Sequence, residues 1–595
     1  MMCSVTSFRV TLPAVSAAMA LGLFLAGSPA LAQSAIERHP PKRPDVPTSS
    51  VSIAEQDFGR ASEAPLGVNL AGIHIIGQSD AVAAHPASGI TGIAAVGEAG
   101  KTVDPTSIRA ALSPFLGKPL SLALARDVQA AIARVYKTAG FPFVSVTLPP
   151  QEITSGVLQV RVIEFQLGTV AVNGEPAESA ISSQLRAKPG EPIDAAQLEE
   201  DLSWLNRTPY RRAQGAFRPG EQTGLSNLDL TVRMERPWQV FAGWSNSGSK
   251  DTGRDRYFVG ANAYLAALGG TVVSYQLTGS DTAFADPGRL VPQDGDYPDY
   301  LSHSARITIP TFARQELEIA PAFVASRQEP NPFIAFENRT FELPIIYRSA
   351  VSNLLPGHYW GEIYGGVEFK RLERTTYFAG IPVANGGADL FQLVLGWTRT
   401  VNDRLGRTAI DARVKADPGG VLGDNDAAAW SLFSNNRVDD VTYAYAALDI
   451  SRITPLPAHL TWVSAFSGIL SGQPLPDTER MSLGGRYAVR GYGYDDVSVD
   501  SGFTWRNELR LPAFALLGRF TGLSDRLSPY LFADAGYGVD KANDDSSTLA
   551  SVGLGADYDI GKSVSTSLSA AYALTNVGAT RSGDWAIQAS FTARY

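Results

Sequence analysis

From Trp238 to the C terminus the chain alternates between apolar and polar residues. Val273, Tyr275 and Leu277 fall on one side of a pleat, and Ser274, Gln276 and Thr278 on the other. Ile363, Gly365, Val367 and Phe369 share a face, while Glu362, Tyr364, Glu368 and Lys370 share the opposite one. A period of two is the signature of strands with two unlike faces. Helical periodicity disappears at Pro237-Trp238 and does not return.

Before Trp238 the pattern is mixed. Val68 to Ile76 predicts a strand, and residues 78–103, rich in Gly, Ala and Ser, a loop. Thr106 to Leu112 predicts a short helix with Pro105 at its front, where a missing N–H is tolerated. Leu122, Ala125, Val128, Ile132 and Val135 recur at helical spacing, and Gly140 ends that helix. Phe143 to Leu148 and Val157 to Phe165 return to period two. The order is then repeated. Thr169 to Val172 predicts a strand, Glu178 to Leu185 and Ala195 to Leu205 helices, and Ala213 to Phe217 and Leu228 to Met234 strands. Two consecutive β-α-α-β-β units of similar size make an internal repeat. The fold class expected is therefore α+β units followed by an all-β unit.

The alternating half fits either a soluble sandwich or a membrane barrel. In a sandwich the apolar face is the core; in a barrel it meets lipid and the polar face lines the lumen. Only a closed barrel satisfies every backbone group in a bilayer without helices. At about 22 residues per strand and connection, Trp238 to Tyr595 accommodates roughly sixteen antiparallel strands. Long polar loops such as Ser280 to Ser304 and Gly419 to Asp440 would lie outside the cell. The final strand carries Trp585, Ile587, Ala589, Phe591, Ala593 and Tyr595 on one face. An apolar alternation ending on an aromatic suits a closing strand.

The termini and composition favour the barrel. Met1 to Ala32 reads as a secretory signal: Arg9, then an apolar run from Val10 to Ala26, then Ala30-Leu31-Ala32 as cleavage site. The one cysteine of the 595-residue chain is Cys3, so the mature chain has no disulfide or thiol ligand. Gln33 to Pro65 is polar and proline-rich and reads as a flexible segment. A net charge of −9 argues against a nucleic-acid partner. Enzyme signals are poor. The six histidines are scattered without metal-ligand spacing. Ser247-Gly248-Ser249-Lys250 matches S-x-x-K without its companion motifs. Same-face lumen charge explains Glu362 and Glu368. No catalytic residue, metal or cofactor is expected.

One stretch stands out, Gly485 to Asp496, which contains Val489-Arg490-Gly491-Tyr492. About forty residues on, Phe532-Ala533-Asp534-Ala535-Gly536 reads as a strand whose Asp534 is a candidate partner for Arg490. In a confined lumen such a charge-assisted bond is strong and directional.

Together these features resemble the outer-membrane transporters of two-partner secretion (TpsB, haemolysin secretion/activation type). Tyr136-Lys-Thr-Ala-Gly140-Phe, Leu148-Pro-Pro-Gln151 through Gly156-Val-Leu, and Arg161-Val-Ile-Glu164 look like that family's first POTRA domain. Leu205-Asn206-Arg207 with Arg218-Pro219-Gly220 looks like the second, and Trp238 to Arg254 is similar to its first barrel strands. The Val489–Tyr492 and Phe532-x-Asp534-x-Gly536 motifs match the wider POTRA-barrel superfamily. The resemblance implies a signal peptide (1–32), a flexible segment (33–65), POTRA 1 (66–166), POTRA 2 (167–236) and a transmembrane barrel (237–595). It also implies a place in the bacterial outer membrane, with the POTRA domains in the periplasm. The implied activity is translocation of one unfolded exoprotein without ATP. The alternative is an assembly factor of the same superfamily that inserts other barrels. Arg490 would sit at the tip of a loop folded into the barrel, against Asp534, with Phe532 and Gly536 shaping the wall. Phe591 and Tyr595 resemble the terminal signal read by the barrel-assembly machinery. Family members carry an N-terminal plug helix, and the short, proline-broken Gln33 to Pro65 departs from that pattern.

Overall fold

A computed structural model describes residues 61–595 apart from 85–90, 97–101, 174, 177–180, 209, 357–358 and 523. The expected signal and most of the flexible segment lie outside the described residues.

The first unit is a four-stranded sheet in the order Gly92–Val96, Gly72–Ile76, Val157–Glu164, Val144–Thr147. Two helices, Pro105–Leu112 and Leu122–Thr138, cover one face. Each begins where a side chain satisfies a free N–H. Asp104 accepts from Thr106 N at 3.0 Å and Ser121 from Leu124 N at 3.0 Å. Gly140 adopts φ +94, which ends the second helix. Ile73, Ile75, Val128, Ile132, Val146 and Val160 form the core. The segment expected as one loop, 78–103, contains the strand Gly92–Val96, which pairs in parallel with Gly72–Ile76. Its Gly92, Ala94 and Ala95 interrupt any alternation, so the strand's identity rests on its neighbour's hydrogen bonds.

The second unit orders Glu175–Pro176, Gln166–Val172, Leu225–Met234 and Arg211–Pro219. The helix Ala195–Leu205 packs on it through Leu198, Leu202 and Leu205. The other expected helix, Glu178 to Leu185, is a 3₁₀ turn at Ser182–Gln184 among its described residues. Just past it the backbone is held by another acceptor, since the buried Asp201 carboxylate takes Arg186 N and Ala187 N at 3.0 and 3.2 Å. The two units touch closely. Ala195 N donates to Gly140 O at 3.0 Å, and the Phe143 and Phe217 rings lie 4.3 Å apart.

From Trp238 onward the strands close into a barrel of sixteen antiparallel staves. Gln315–Ile319 and Ala322–Asn331 form one stave interrupted at Ala320-Pro321, since both pair with Tyr300–Pro310 and with Ile334–Ala350. Closure comes from Trp585–Arg594 against Trp238–Ser245. Beyond the strand, Tyr595 and Val240 exchange backbone bonds of 2.9 and 3.1 Å. The Tyr595 ring lies 5.9 Å from Trp238, and the Phe591 side chain faces outward. Alternation sorts the faces. Trp585, Ile587, Leu395 and Leu531 point out, while Glu362, Glu368, Lys370 and Ser274 are buried inside. Short helices do return within the loops, at Asp281–Ala285, Ala427–Phe433 and Gly518–Thr521.

Candidate functional site: a loop docked inside the barrel

Residues 472–500 connect Thr461–Ser471 to Ser501–Arg510 and turn back into the bore rather than away from it. A two-residue ladder, Met481–Ser482 with Ser498–Val499, holds the loop as a hairpin. Val489 N bonds to Leu483 O at 3.0 Å and Gly485 N to Tyr492 O at 3.1 Å, which aims residues 489–492 at the wall.

Each of the four tip residues meets a feature of the wall. Arg490 grips Asp534 with two parallel bonds, Nε to Oδ2 at 2.7 Å and Nη2 to Oδ1 at 2.8 Å. This is the bidentate fork that guanidinium and carboxylate favour. The backbone N of Arg490 adds a third bond to Oδ2 at 3.2 Å. Phe532 lies under the guanidinium, whose carbon is 3.7 Å from the ring centroid, so the cation stacks on the π face. Gly536 leaves room for Val489: a Cβ there would stand 2.9 Å from Val489 Cγ2. Gly491 turns with φ +99 against Ser551 and Ala571. Tyr492 Oη donates to Ala550 O at 2.8 Å and accepts from Thr575 N at 3.0 Å. Arg490 and Asp534 are 2 % and 3 % exposed, so the pair is sealed from bulk solvent.

Two further carboxylates belong to this arrangement and escaped the sequence reading. Glu508 Oε1 accepts from Arg490 Nη1 at 2.8 Å, and Arg510 and Arg506 flank it. Its signal was legible as Arg506-x-Glu508-x-Arg510, alternating charge on one strand face. Glu479 fastens the neck of the loop. It meets Lys370, accepts from Tyr445 Oη at 2.7 Å, and stands 3.7 Å from Lys415 Nζ. No spacing in the sequence joins Glu479 to Lys370.

The loop expected to lie outside, Gly419 to Asp440, also folds inward. Trp430 is wholly buried and donates to Asp389 O at 2.8 Å, among Leu475, Met481, Leu483 and Val489. Charges considered for acid–base work are neutralised in place. Glu362 meets Arg207 and Arg348, and Glu368 meets Lys370 at 3.3 Å and Lys415 at 2.5 Å. Ser247 bonds to Ser245 Oγ, whereas Lys250 is tied through its backbone N to Asp495.

The opposite rim joins the second sheet unit. Arg314, in the turn 311–314, reaches Asp201 Oδ1 at 2.8 Å, Glu200 Oε2 at 2.7 Å, Gln197 O at 2.7 Å and Ser352 Oγ at 3.0 Å. Arg207 stacks 4.0 Å over Trp204 and pairs with Glu362 inside the mouth.

The chain is similar to known proteins. Residues 363–558 match the family model of the haemolysin secretion/activation protein ShlB/FhaC/HecB, and residues 90–164 that of the ShlB-type POTRA domain. The outer membrane transporter CdiB-2 of Burkholderia pseudomallei is 23% identical over 66% of this chain and 65% of that protein. The outer membrane transporter CdiB of Dickeya dadantii is 23% identical over 71% of this chain and 72% of its own length. The matched regions thus span about two thirds of these relatives. The solved structure of CdiB from Escherichia coli superposes with a TM-score of 0.70 at 15% identity, covering 92% of this chain and 94% of that one, which shows a shared fold. The chain thus carries a ShlB/FhaC/HecB-type secretion/activation region and a ShlB-type POTRA domain, and over about two thirds of its length it is similar to outer membrane transporters.

Proposed function

We propose that this protein recognises an unfolded exoprotein in the periplasm and passes it through the barrel to the cell surface. Residues 66–166 and 167–236 act as POTRA 1 and POTRA 2, and residues 237–595 as the conduit. The observation that carries the reading is the docked loop: Val489, Arg490, Gly491 and Tyr492 fill a receptor built from Phe532, Asp534, Gly536 and Glu508. A conduit needs an inner wall element that is held in one place yet is not part of the ladder, and hydrogen-bonded ion pairs provide that. The client is an extended chain, which an exposed sheet edge binds through main-chain hydrogen bonds with little regard for sequence. Val144–Thr147 lies at such an edge beside the helix Leu122–Thr138, although Gln129 already donates to Val146 O at 2.9 Å. Folding of the exported chain outside the cell prevents its return, so no ATP is needed. No catalytic step and no cofactor enter this scheme. Phe591 and Tyr595 present the closing strand to the barrel-assembly machinery.

Arg490→Ala tests the central role. The variant should reach the outer membrane in normal amount and secrete its client poorly. Wild-type secretion from a correctly inserted variant would refute the role assigned to Arg490. Depletion of the protein separates transport from barrel insertion: loss of one secreted protein supports transport, and a broad loss of outer-membrane proteins supports insertion.

A further inference from the structure

The connection from Leu511 to Ser524, between the strands Ser501–Arg510 and Asp525–Asp540, differs from its neighbours on the same rim. The adjacent links on that rim, 456–460 and 561–563, are only five and three residues long. This one presents Leu511, Phe514, Leu516, Leu517 and Phe520 outward, with Phe520 86 % exposed. Exposed apolar patches of this kind mark a partner or a membrane.

Three observations point to the membrane. First, the patch continues the lipid-facing stripe: Leu509 and Leu531, paired across the two strands, both point out, and Leu511 follows Leu509 by one pleat. Second, much of the turn's described backbone is bonded internally, as a low-dielectric setting favours. The Asp525 carboxylate accepts from Leu516 N, Leu517 N and Gly518 N at 2.9, 2.8 and 2.7 Å, and from Tyr558 Oη at 2.9 Å. Leu511 N and Phe514 N bond to Pro529 O and Leu527 O at 2.9 and 3.0 Å. A tyrosine on the outer face at this height is what the girdle of a membrane barrel supplies. Third, the second sheet unit docks elsewhere among the described residues. Arg314 and Ser352 lie in the links between the fourth and fifth and the sixth and seventh staves. Leu511–Ser524 links the twelfth and thirteenth, nearly across the ring, so the contacts of the second unit leave this turn uncovered.

We propose that Leu511–Ser524 is a membrane-surface anchor: Asp525 and Tyr558 sit at headgroup level, and Phe514, Leu516, Leu517 and Phe520 enter the acyl boundary of the periplasmic leaflet. The inference rests on the outer-membrane placement of the barrel. Its effect is to pin the rim opposite the contacts of the second sheet unit, so the barrel mouth is fixed on both sides.

The test uses the full chain with Cys3 replaced by Ser, reconstituted in phosphatidylethanolamine–phosphatidylglycerol bilayers. A nitroxide is placed at Phe520→Cys, at Leu531→Cys on the lipid-facing wall, and at Val291→Cys in a loop of the far rim. Collision with oxygen is compared with collision with a water-soluble nickel chelate. The expected result is an oxygen preference at 520 and 531, several-fold above that at 291. Nickel access at 520 equal to that at 291, with 531 still in lipid, overturns the anchor alone. Nickel access at 531 as well overturns the membrane placement beneath it. Protection at 520 that appears only on adding the exported chain or a second copy assigns the patch to a polypeptide and overturns the proposal.

Discussion

Replacing Arg314 by alanine isolates the junction between the barrel and the second sheet unit. Arg314 makes four polar contacts of 2.7–3.0 Å, to Asp201, Glu200, Gln197 O and Ser352. Its side chain is 1 % exposed and that of Asp201 0 %, so the pair is desolvated. Removing one member of a buried pair costs about 3–5 kcal/mol, because the remaining charge has no counter-ion. Asp201 keeps two backbone donors, Arg186 N and Ala187 N, which places the expected cost near the lower bound, about 3 kcal/mol. That corresponds to roughly a hundredfold change in the docked-to-undocked ratio. Arg314 has φ +56, and alanine retains the same left-handed strain, so the substitution reads side-chain loss alone. The assay is amide exchange in the full chain. Exchange should accelerate in Ala195–Leu205 and in the turn 311–314, and stay unchanged in the strands Ile334–Ala350 and Glu362–Phe378 above the rim. Pairing Arg314→Ala with Asp201→Asn should cost less than the sum of the single changes. Unchanged exchange in Ala195–Leu205, or strict additivity, would show that the ion pair does not hold the junction. The pH dependence has an unusual sign. Burial raises the carboxyl groups of Asp201 and Glu200 above their ordinary values, with Arg314 opposing that rise. Their contribution to stability is therefore fully present below the ordinary carboxylate range and declines as pH rises through the raised folded values. Mild acid should tighten this junction, and in Arg314→Ala it should rescue part of the loss.

Gly536→Ala should press a methyl against Val489, 2.9 Å away, and displace the loop tip at a cost of about 1–3 kcal/mol. Val489→Ala should restore secretion in the double variant, and a double variant no better than Gly536→Ala would discredit the steric account. Glu479→Gln removes the counter-charge between Lys370 and Lys415 at the loop's neck while leaving the tip pair intact. In planar bilayers it should open more often than wild type, and identical conductance traces would show that the tip alone holds the loop.

Alternation made the barrel legible, because lipid and lumen impose opposite demands on successive residues and those demands are written locally. The helices Pro105–Leu112 and Leu122–Thr138 were legible for the same reason, their caps and apolar spacing being local. The strand Gly92–Val96 was not, since small residues carry no period and only the hydrogen bonds of Gly72–Ile76 define it. The helix expected at Glu178 to Leu185 is only a 3₁₀ turn at Ser182–Gln184 among its described residues, and just beyond it the Asp201 carboxylate, from another helix, takes the backbone donors of Arg186 and Ala187. Within the site, the pairing of Arg490 with Asp534 was suggested by motif, whereas Glu508 was missed, although charge alternates along its own strand.

The order of residues by itself determined that the chain after Trp238 becomes strand, which face of those strands is apolar, and which short motifs carry unusual chemistry. Tertiary structure alone decided that Gly419 to Asp440 turns inward, that Glu479 meets Lys370 across the bore, and that Arg314 binds the second unit. These contacts join residues far apart in the chain, by 41 positions between Asp389 and Trp430, 109 between Lys370 and Glu479 and 113 between Asp201 and Arg314. Their energy depends on how the closed ring excludes water from paired charges, and no local pattern records that exclusion.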